Sequence, residues 1–309
     1  MHIMKSLLYI YNPKSGHEML ESKVSQTIDY LTKRDYLVTA YPTQGGYDLS
    51  ALLSAARNAD HIIYAGGDGM LNAAVNFQLS NGISLPIGYI PAGTTNDFAR
   101  SMGLGGEYIV SLHTALNGQG QELDAGQINQ RYFIYVAAFG VFSDISYTTP
   151  QESKNMLGYA AYLLEGAKKL SDLTAHTLTI RYADHSWIDL EGETQFRTIE
   201  GDFVFGMITN SYSVAGFKNL SASDISLTDG LFEVVLVRYP QNLTELSEVV
   251  HALLSGRDDA CRLLRFKTSE LHISSREKLS WCLDGEYGGS YTESDIRNLN
   301  KAVRIRMKG

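Results

Sequence analysis

The stretch HIIYAGGDGMLNAAVN, residues 61–76, joins an apolar run to an amphipathic one through two glycines, an aspartate and a third glycine. The apolar run predicts a buried strand, and Leu71, Ala74 and Val75 fall on one face of the helix that follows. Gly66, Gly67 and Gly69 let backbone approach a ligand closely, and the helix start presents free N–H groups and a partial positive charge. Phosphate is the natural guest of such a turn, yet Asp68 repels it. Two unit charges about 4 Å apart cost on the order of 1 kcal/mol in water and roughly 4 kcal/mol at an effective dielectric near 20. A divalent cation between carboxylate and phosphate removes the conflict, and Mg2+ takes one or two carboxylates together with phosphate oxygens and waters. The stretch therefore points to a metal nucleotide. The competing reading is a strand-to-helix turn in which Asp68 only supports local backbone hydrogen bonds. Neither G-x-x-x-x-G-K-[ST] nor G-x-G-x-x-G fits, the latter because Asn72 stands at its third glycine.

The same pattern of apolar run, punctuated loop and helix recurs up to about residue 125. SLLYIYNPKSG precedes a helix reaching about Leu31, and LVTAYPTQGG precedes one with Leu49, Leu52, Leu53 and Ala56 at helical spacing. LPIGYIPAGTTND precedes a helix starting near Phe98. Strands alternating with helices predict a parallel sheet covered on both faces, whose four strand-to-helix loops open on one ligand-binding edge. That edge gathers Asn12, Lys14 and Ser15 from one loop and Thr94, Thr95, Asn96 and Asp97 from another. Each loop alone reads as a cap and turn, because Ser, Thr, Asn and Asp are favoured at helix starts. Three such loops on one edge, with a lysine, aspartates and hydroxyls, read as a phosphate site.

From about Arg131 the texture changes to alternating segments such as YFIYVAAF, HTLTIRYADHSWIDLEGE, GDFVFGMITNSY and GLFEVVLVRYP. Period-two alternation with β-branched and aromatic residues predicts an antiparallel β domain, either sandwich or barrel. Two helices interrupt it. NLTELSEVVHALLSG has a start signal at Asn242 and a stop at Gly256. NMLGYAAYLLEGAKKL, residues 155–170, reads either as a core helix or as a membrane-docking element with Lys168 and Lys169 near anionic head groups. The tail KAVRIRMKG is a basic strand that either closes the β domain or returns to the first sheet. LSWCLDGEYGG sets Asp284 and Glu286 in a Gly-rich turn, which is either a common Asp-Gly hairpin or the site of a general base for phosphoryl transfer to an alcohol. Asp229, in SLTDGLFEV, is likewise either a turn residue or a metal ligand.

At 309 residues and a net charge of -8, the chain has room for one large domain or two ordinary ones and argues against nucleic acid as partner. The N-terminal apolar run is too short for a signal or a span, which reads as a cytoplasmic protein. Cys261 and Cys282 form no CxxC pair and the eight histidines show no ligand spacing, so the expectation is buried reduced thiols without zinc or a disulfide framework.

Taken together, YNPKSG, GGDG, PAGTTNDFAR, DAGQIN, TNS and LDGEYGG, in this order across nearly the whole chain, resemble the bacterial soluble diacylglycerol kinases. The resemblance implies an ATP-binding α/β domain over 1–125, with a C-terminal strand of about 294–309 returning to it, and a β-rich lipid-substrate domain over 126–293. It implies that Asn12, Pro13, Lys14, Ser15, Gly16, Thr43, Gly66, Gly67, Asp68, Gly69, Met70, Leu71, Asn72, Thr94 and Asn96 hold ATP. Asp68, Asp97 and Asp124 are then expected to organise a catalytic Mg2+, partly through water, and Ser226, Asp229 and Leu231 a structural Mg2+. Asp284 is expected as the base for the lipid hydroxyl, with Glu286 beside it. Peripheral contact with the inner face of the membrane and a homodimer follow by the same resemblance.

Two positions depart from the family pattern: Met70 replaces the usual Thr after GGDG, and Ala73 replaces an acid worth roughly 0.3 to 1 kcal/mol at the helix start. They bear on which lipid alcohol is the acceptor and motivate the alternative of a lipid or nucleotide sensor that does not turn over; a kinase of NAD is a separate alternative, against which the Thr94 to Phe98 loop and the absence of an Asn-Glu motif after the Gly-rich loop count.

Overall fold

The computed structural model describes residues 4–16, 20–43, 52–94, 96–140, 173–188, 194–210, 226–255 and 260–308. The helix expected over 155–170 lies outside them, as do Leu49, Thr95, Ser211 and Gly256. The chain divides into two compact units, Met1–Leu123 with Lys301–Gly309, and Asp124–Asn300.

In the first unit, β1 (Lys5–Tyr11), β2 (Tyr36–Pro42), β3 (His61–Gly66) and β4 (Ile87–Pro91) lie in the order β2-β1-β3-β4, every pair parallel. β1 and β3 are buried along nearly their whole length, as strands covered on both faces must be. Helices α1 (Val24–Thr32) and α2 (Leu53–Arg57) follow β1 and β2, and α3 (Asp68–Asn81) follows β3 directly. Leu71, Ala74 and Val75 are buried on the face that their spacing predicts. After β4 the chain makes a short α4 (Asp97–Ser101) and then a separate α5 (Tyr108–Asn117), where the sequence suggests one helix from Phe98. The glycine-rich segment 102–107 breaks it. Leu112, Ala115 and Leu116 of α5 join Leu7, Tyr9, Ile63 and Ile90 in one buried cluster. The strand β13 (Glu286–Met307) brings Ile305 opposite Ile87 in parallel pairing.

The second unit is strand-rich. β5 (Gln119–Ile128) enters it and pairs with β6 (Arg131–Phe133). Then come β7 (Val136–Gly140), β8 (His176–Ile188), β9 (Thr194–Thr209), β10 (Phe232–Arg238), α6 (Leu243–Ser255), β11 (Leu263–Thr268) and β12 (Glu270–Leu283). β7 pairs with β9, β9 with β8, β8 with β12 and β12 with β7, all antiparallel, so these four strands close into a barrel-like sheet. Phe139, Leu178, Ile180, Phe203, Ile208 and Trp281, drawn from all four strands, share one buried cluster. α6 covers a second cluster through Leu246, Val249 and Leu253 against Met207, Val235 and Val237. Its start is capped as the sequence suggests: Asn242 Oδ1 accepts the Glu245 N–H at 2.9 Å, and Glu245 Oε2 accepts the Gln241 N–H at 2.7 Å.

Three expectations need correction. YFIYVAAF is not one strand, because β6 stops at Phe133 and β7 begins at Val136; the intervening N–H groups turn to a side chain described below. The return to the first unit begins at Lys301 rather than near 294, since Ser294, Ile296 and Arg297 still pair with β12. Lys301 itself has φ +53, a left-handed residue that redirects the strand. Of the two cysteines only Cys282 is buried; Cys261 is exposed.

Candidate active site

Three loops at the carboxyl ends of β1, β3 and β4 meet in the first unit. Backbone bonds tie their roots: the Asn12 N–H donates to the Ala65 carbonyl at 3.0 Å and the Ala92 N–H to the Gly66 carbonyl at 2.8 Å. The contact between the second and third loops is backbone on backbone. A Cβ on Gly93 would lie 2.6 Å from Gly67 Cα, a distance no side chain tolerates. A Cβ on Gly16 would lie 3.0 Å from the Ala92 carbonyl oxygen, so the first loop also rests on the third. The glycines are therefore used for loop-to-loop packing, and this close approach is what brings Asn12, Asp68 and Asn96 onto one edge.

Each polar residue has a local task. Asn12 Oδ1 accepts the Lys14 N–H at 3.0 Å, an Asx turn that shapes the 12–16 loop around Pro13 and Ser15. Asn96, at φ +48, folds back on Gly93, accepting its N–H at 2.8 Å and donating Nδ2 to its carbonyl at 2.7 Å. Asp68 Oδ1 accepts the Phe98 N–H at 3.3 Å, so the carboxylate at the start of α3 also caps α4. Tyr89 donates its hydroxyl to the Gly66 carbonyl at 3.1 Å. Burial, and secondly the negative charge of Asp68, push the Tyr89 phenol well above its ordinary value, so it stays a neutral donor. Buried Thr43 donates its N–H to the Tyr11 carbonyl at 2.9 Å, while Lys14 and Thr94 are exposed.

Met70 and Leu71 follow in the first turn of α3. Both side chains are buried, and both N–H groups donate to the Gly67 carbonyl, at 3.0 and 3.3 Å. Neither presents a polar group to the loop. Gly69 and Asn72 are half-buried in the first turn, and Asn72 Oδ1 accepts from Asn76 Nδ2 at 3.1 Å. Asp97 opens α4, and its side chain lies outside the described residues.

In the second unit Asp124 is fully buried. Its Oδ2 accepts the Gly230 N–H at 2.7 Å, its Oδ1 accepts Asn300 Nδ2 at 2.9 Å, and its N–H donates to the Leu227 carbonyl at 2.8 Å. The expected catalytic ligand Asp124 is thus joined to the very loop, 226–231, that carries the expected structural ligands. Within that loop Asp229 Oδ1 accepts the Leu231 N–H at 3.1 Å, and Ser226 Oγ lies 3.4 Å from Thr228 Oγ1. Asn300 also donates to the Thr228 carbonyl at 3.0 Å, and Asn210 Nδ2 to the Asp124 carbonyl at 2.8 Å. Asn210 stands in the TNS motif of the resemblance, whereas Asn300 is not marked by the sequence, because nothing local distinguishes a buttress from any other Asn. Among the described residues no group of three His, Cys, Asp or Glu is gathered as a metal cage.

Asp284 and Gly285 form the two-residue turn between β12 and β13, with φ +50 and +86 and Leu283 opposite Glu286. Two positive φ values are the signature of a type I′ hairpin, so the turn reading of Asp-Gly holds. The carboxylate nevertheless has a second use. It is buried, and it accepts three backbone N–H groups: Ile134 at 2.8 Å on Oδ2, and Tyr135 and Val136 at 3.0 Å each on Oδ1. This is the side chain that separates β6 from β7. Glu286 is exposed at the first position of β13.

Within each unit the donors fit Mg2+ in kind: Asp68 in the first, and separately Asp229 and Ser226 in the second, offer hard oxygens, and sites on phosphate need only one or two carboxylates from the protein.

Comparison with known proteins agrees with this arrangement. A family model described as the diacylglycerol kinase catalytic domain matches residues 6–128. The diacylglycerol kinase of Bacillus subtilis (strain 168) is 34% identical over 308 residues, covering 98% of this chain and 97% of its own. That of Staphylococcus aureus (strain JH9) is 32% identical over 299 residues, covering 96% and 90%. In fold, the crystal structure of a diacylglycerol kinase from Bacillus anthracis strain Sterne superposes with a TM-score of 0.69 at 18% identity, covering 100% of this chain and 98% of that one. With identity of this order running the length of both chains, the chain belongs to the diacylglycerol kinase family of phosphotransferases.

Proposed function

We propose that this protein transfers the γ-phosphoryl group of ATP to the hydroxyl of diacylglycerol, giving phosphatidic acid, with Mg2+ as cofactor and Asp284 as general base. The observation that carries the reading is the match to diacylglycerol kinases across nearly the whole chain, which spans both the glycine-packed loop edge and the Asp284 turn. In this reading the 12–16, 66–69 and 92–96 loops bind the phosphates, with Lys14 supplying positive charge and the first N–H groups of α3 supplying donors. Asp68, with Asp97 and Asp124, would hold the Mg2+ that supplies charge neutralisation on the phosphates, and Ser226, Asp229 and the Leu231 carbonyl would hold a second, structural ion. The acceptor oxygen attacks the γ-phosphorus, the bond to the β-phosphate oxygen breaks, and the hydroxyl proton passes to Asp284. Three N–H groups fix that carboxylate in one orientation, which positions a base without further reorganisation. Such a transfer asks little else of the protein than positioning and charge neutralisation.

The acceptor resides in a bilayer, so the reading includes peripheral work at the cytoplasmic membrane surface, and a homodimer. Among the described residues no helix is long and apolar enough to cross a membrane. The test is phosphate transfer by purified protein from Mg·ATP to a panel of lipid alcohols in vesicles, with NAD alongside. Labelled phosphatidic acid supports the reading, and transfer to NAD alone or to no lipid defeats it.

A further inference from the structure

Glu233 in β10 is a buried carboxylate that the reaction above does not use. Lys267 Nζ stands 3.2 Å from its Oε1 as an ion pair, and among the described residues neither carboxylate oxygen accepts a hydrogen bond. A buried acceptor left without a donor is costly and rare in folded proteins. Its place makes the vacancy informative. Val136 is opposite Thr209, Thr209 opposite Glu233, and Glu233 opposite Lys267. Residues paired across a ladder share a face, and this face is otherwise the apolar one of Val136, Met207, Val235 and Val237. Thr209, Glu233 and Lys267 are thus a polar row at the end of the apolar face that α6 covers, and the row begins at Val136, one of the three residues that bond Asp284. Two interstrand spacings put Glu233 roughly 10 Å from Val136.

A fully esterified diacylglycerol has no donor besides its reacting hydroxyl; its ester carbonyls only accept. We infer that Glu233 is a specificity-determining residue that accepts a hydrogen bond from a second hydroxyl of the acceptor, so that the enzyme also takes monoacylglycerol-type diols. The inference rests on the lipid-kinase reading. A site built to pair a substrate hydroxyl discriminates by leaving its own buried group unpaired when that hydroxyl is missing.

The test is initial-rate kinetics on 1-monoacylglycerol and 1,2-diacylglycerol of equal chain length in the same mixed micelles, for the unaltered protein and Glu233→Gln. The ratio of kcat/KM for the monoacyl over the diacyl acceptor is expected to fall roughly tenfold, chiefly through KM for the diol, as loss of a charged hydrogen bond requires. Glu233→Asp, which keeps the charge but withdraws the oxygen by one methylene, is expected to shift the ratio in the same direction. A ratio that is unchanged or rises in both variants overturns the inference, as does failure of the unaltered protein to phosphorylate the diol while it phosphorylates diacylglycerol. No transfer to either lipid overturns the kinase reading, and this one with it.

Discussion

Asp284 and Val136 are joined twice: the Val136 N–H donates to Asp284 Oδ1 at 3.0 Å, and the Asp284 N–H donates to the Val136 carbonyl at 2.9 Å. One bond belongs to the side chain and the other to the backbone, so the hairpin turn and the carboxylate orientation are fixed by the same strand. Glu233 lies further along that row, which makes the row the common support of base and specificity residue in the proposed reaction.

Asp284→Asn separates the two uses of this residue. Asn-Gly is itself a favoured type I′ pair, so the turn survives. The amide offers one acceptor oxygen in place of two, opposing an N–H to an N–H at a cost of about 1 to 3 kcal/mol. Turnover is expected to drop by roughly two to four orders of magnitude while the protein remains folded. Circular dichroism with phosphate-transfer rates checks this, and near-normal turnover removes Asp284 as base.

Gly93→Ala tests the loop edge. Its new methyl would meet Gly67 Cα, a backbone atom, at 2.6 Å and Asn96 Oδ1 at 2.8 Å, so the loops must part. ATP affinity is expected to weaken by at least about tenfold, because phosphate contacts depend on backbone N–H groups held in place. Equilibrium nucleotide titration measures it; unaltered affinity would show that the 66–69 and 92–96 loops do not bind ATP jointly.

Asn300→Ala probes the 226–231 loop. It takes one donor from the buried Asp124 carboxylate and another from the Thr228 carbonyl. A hydrogen bond to a charged group contributes about 1.5 to 3 kcal/mol, so the urea midpoint is expected to fall with its slope unchanged. A midpoint equal to that of the unaltered protein would mean that Asn300 does not buttress Asp124.

His61 gives the first unit a pH dependence. Burial, then the positive charges of Arg306 and Lys5, lower its pKa from the ordinary 6.5. Between the lowered folded value and 6.5 the unfolded chain binds more protons, so stability is full above about 6.5 and is lost as pH falls through the folded value. Thermal unfolding of His61→Gln is expected to show a shallower loss of melting temperature from pH 7 to pH 5. Parallel curves for the two proteins would count against a titrating His61.

What the sequence determined by itself is the set of local signals. Apolar runs of strand length, the Asn242 cap and the 3.6-residue spacing of Leu71, Ala74 and Val75 depend on neighbours a few positions away, and the structure repeats them. The Asp-Gly turn is of the same kind. The sequence also carried the ordered motifs from YNPKSG to LDGEYGG that identify the family. It could not show that Met70 faces the core beside Leu71, because a helix start reads alike whichever residues its N–H groups and side chains meet.

Only the tertiary structure decided what the polar residues touch. Asp124 meets Gly230 and Asn300, 106 and 176 positions away, and Asp284 meets Ile134 to Val136 about 150 positions away. Gly93 must be glycine because Gly67 lies against it, and each reads alone as an ordinary turn. The break between β6 and β7 and the late return at Lys301 follow from the same cause. A backbone N–H or a carboxylate carries no record in sequence of its distant partner, and burial compels it to find one.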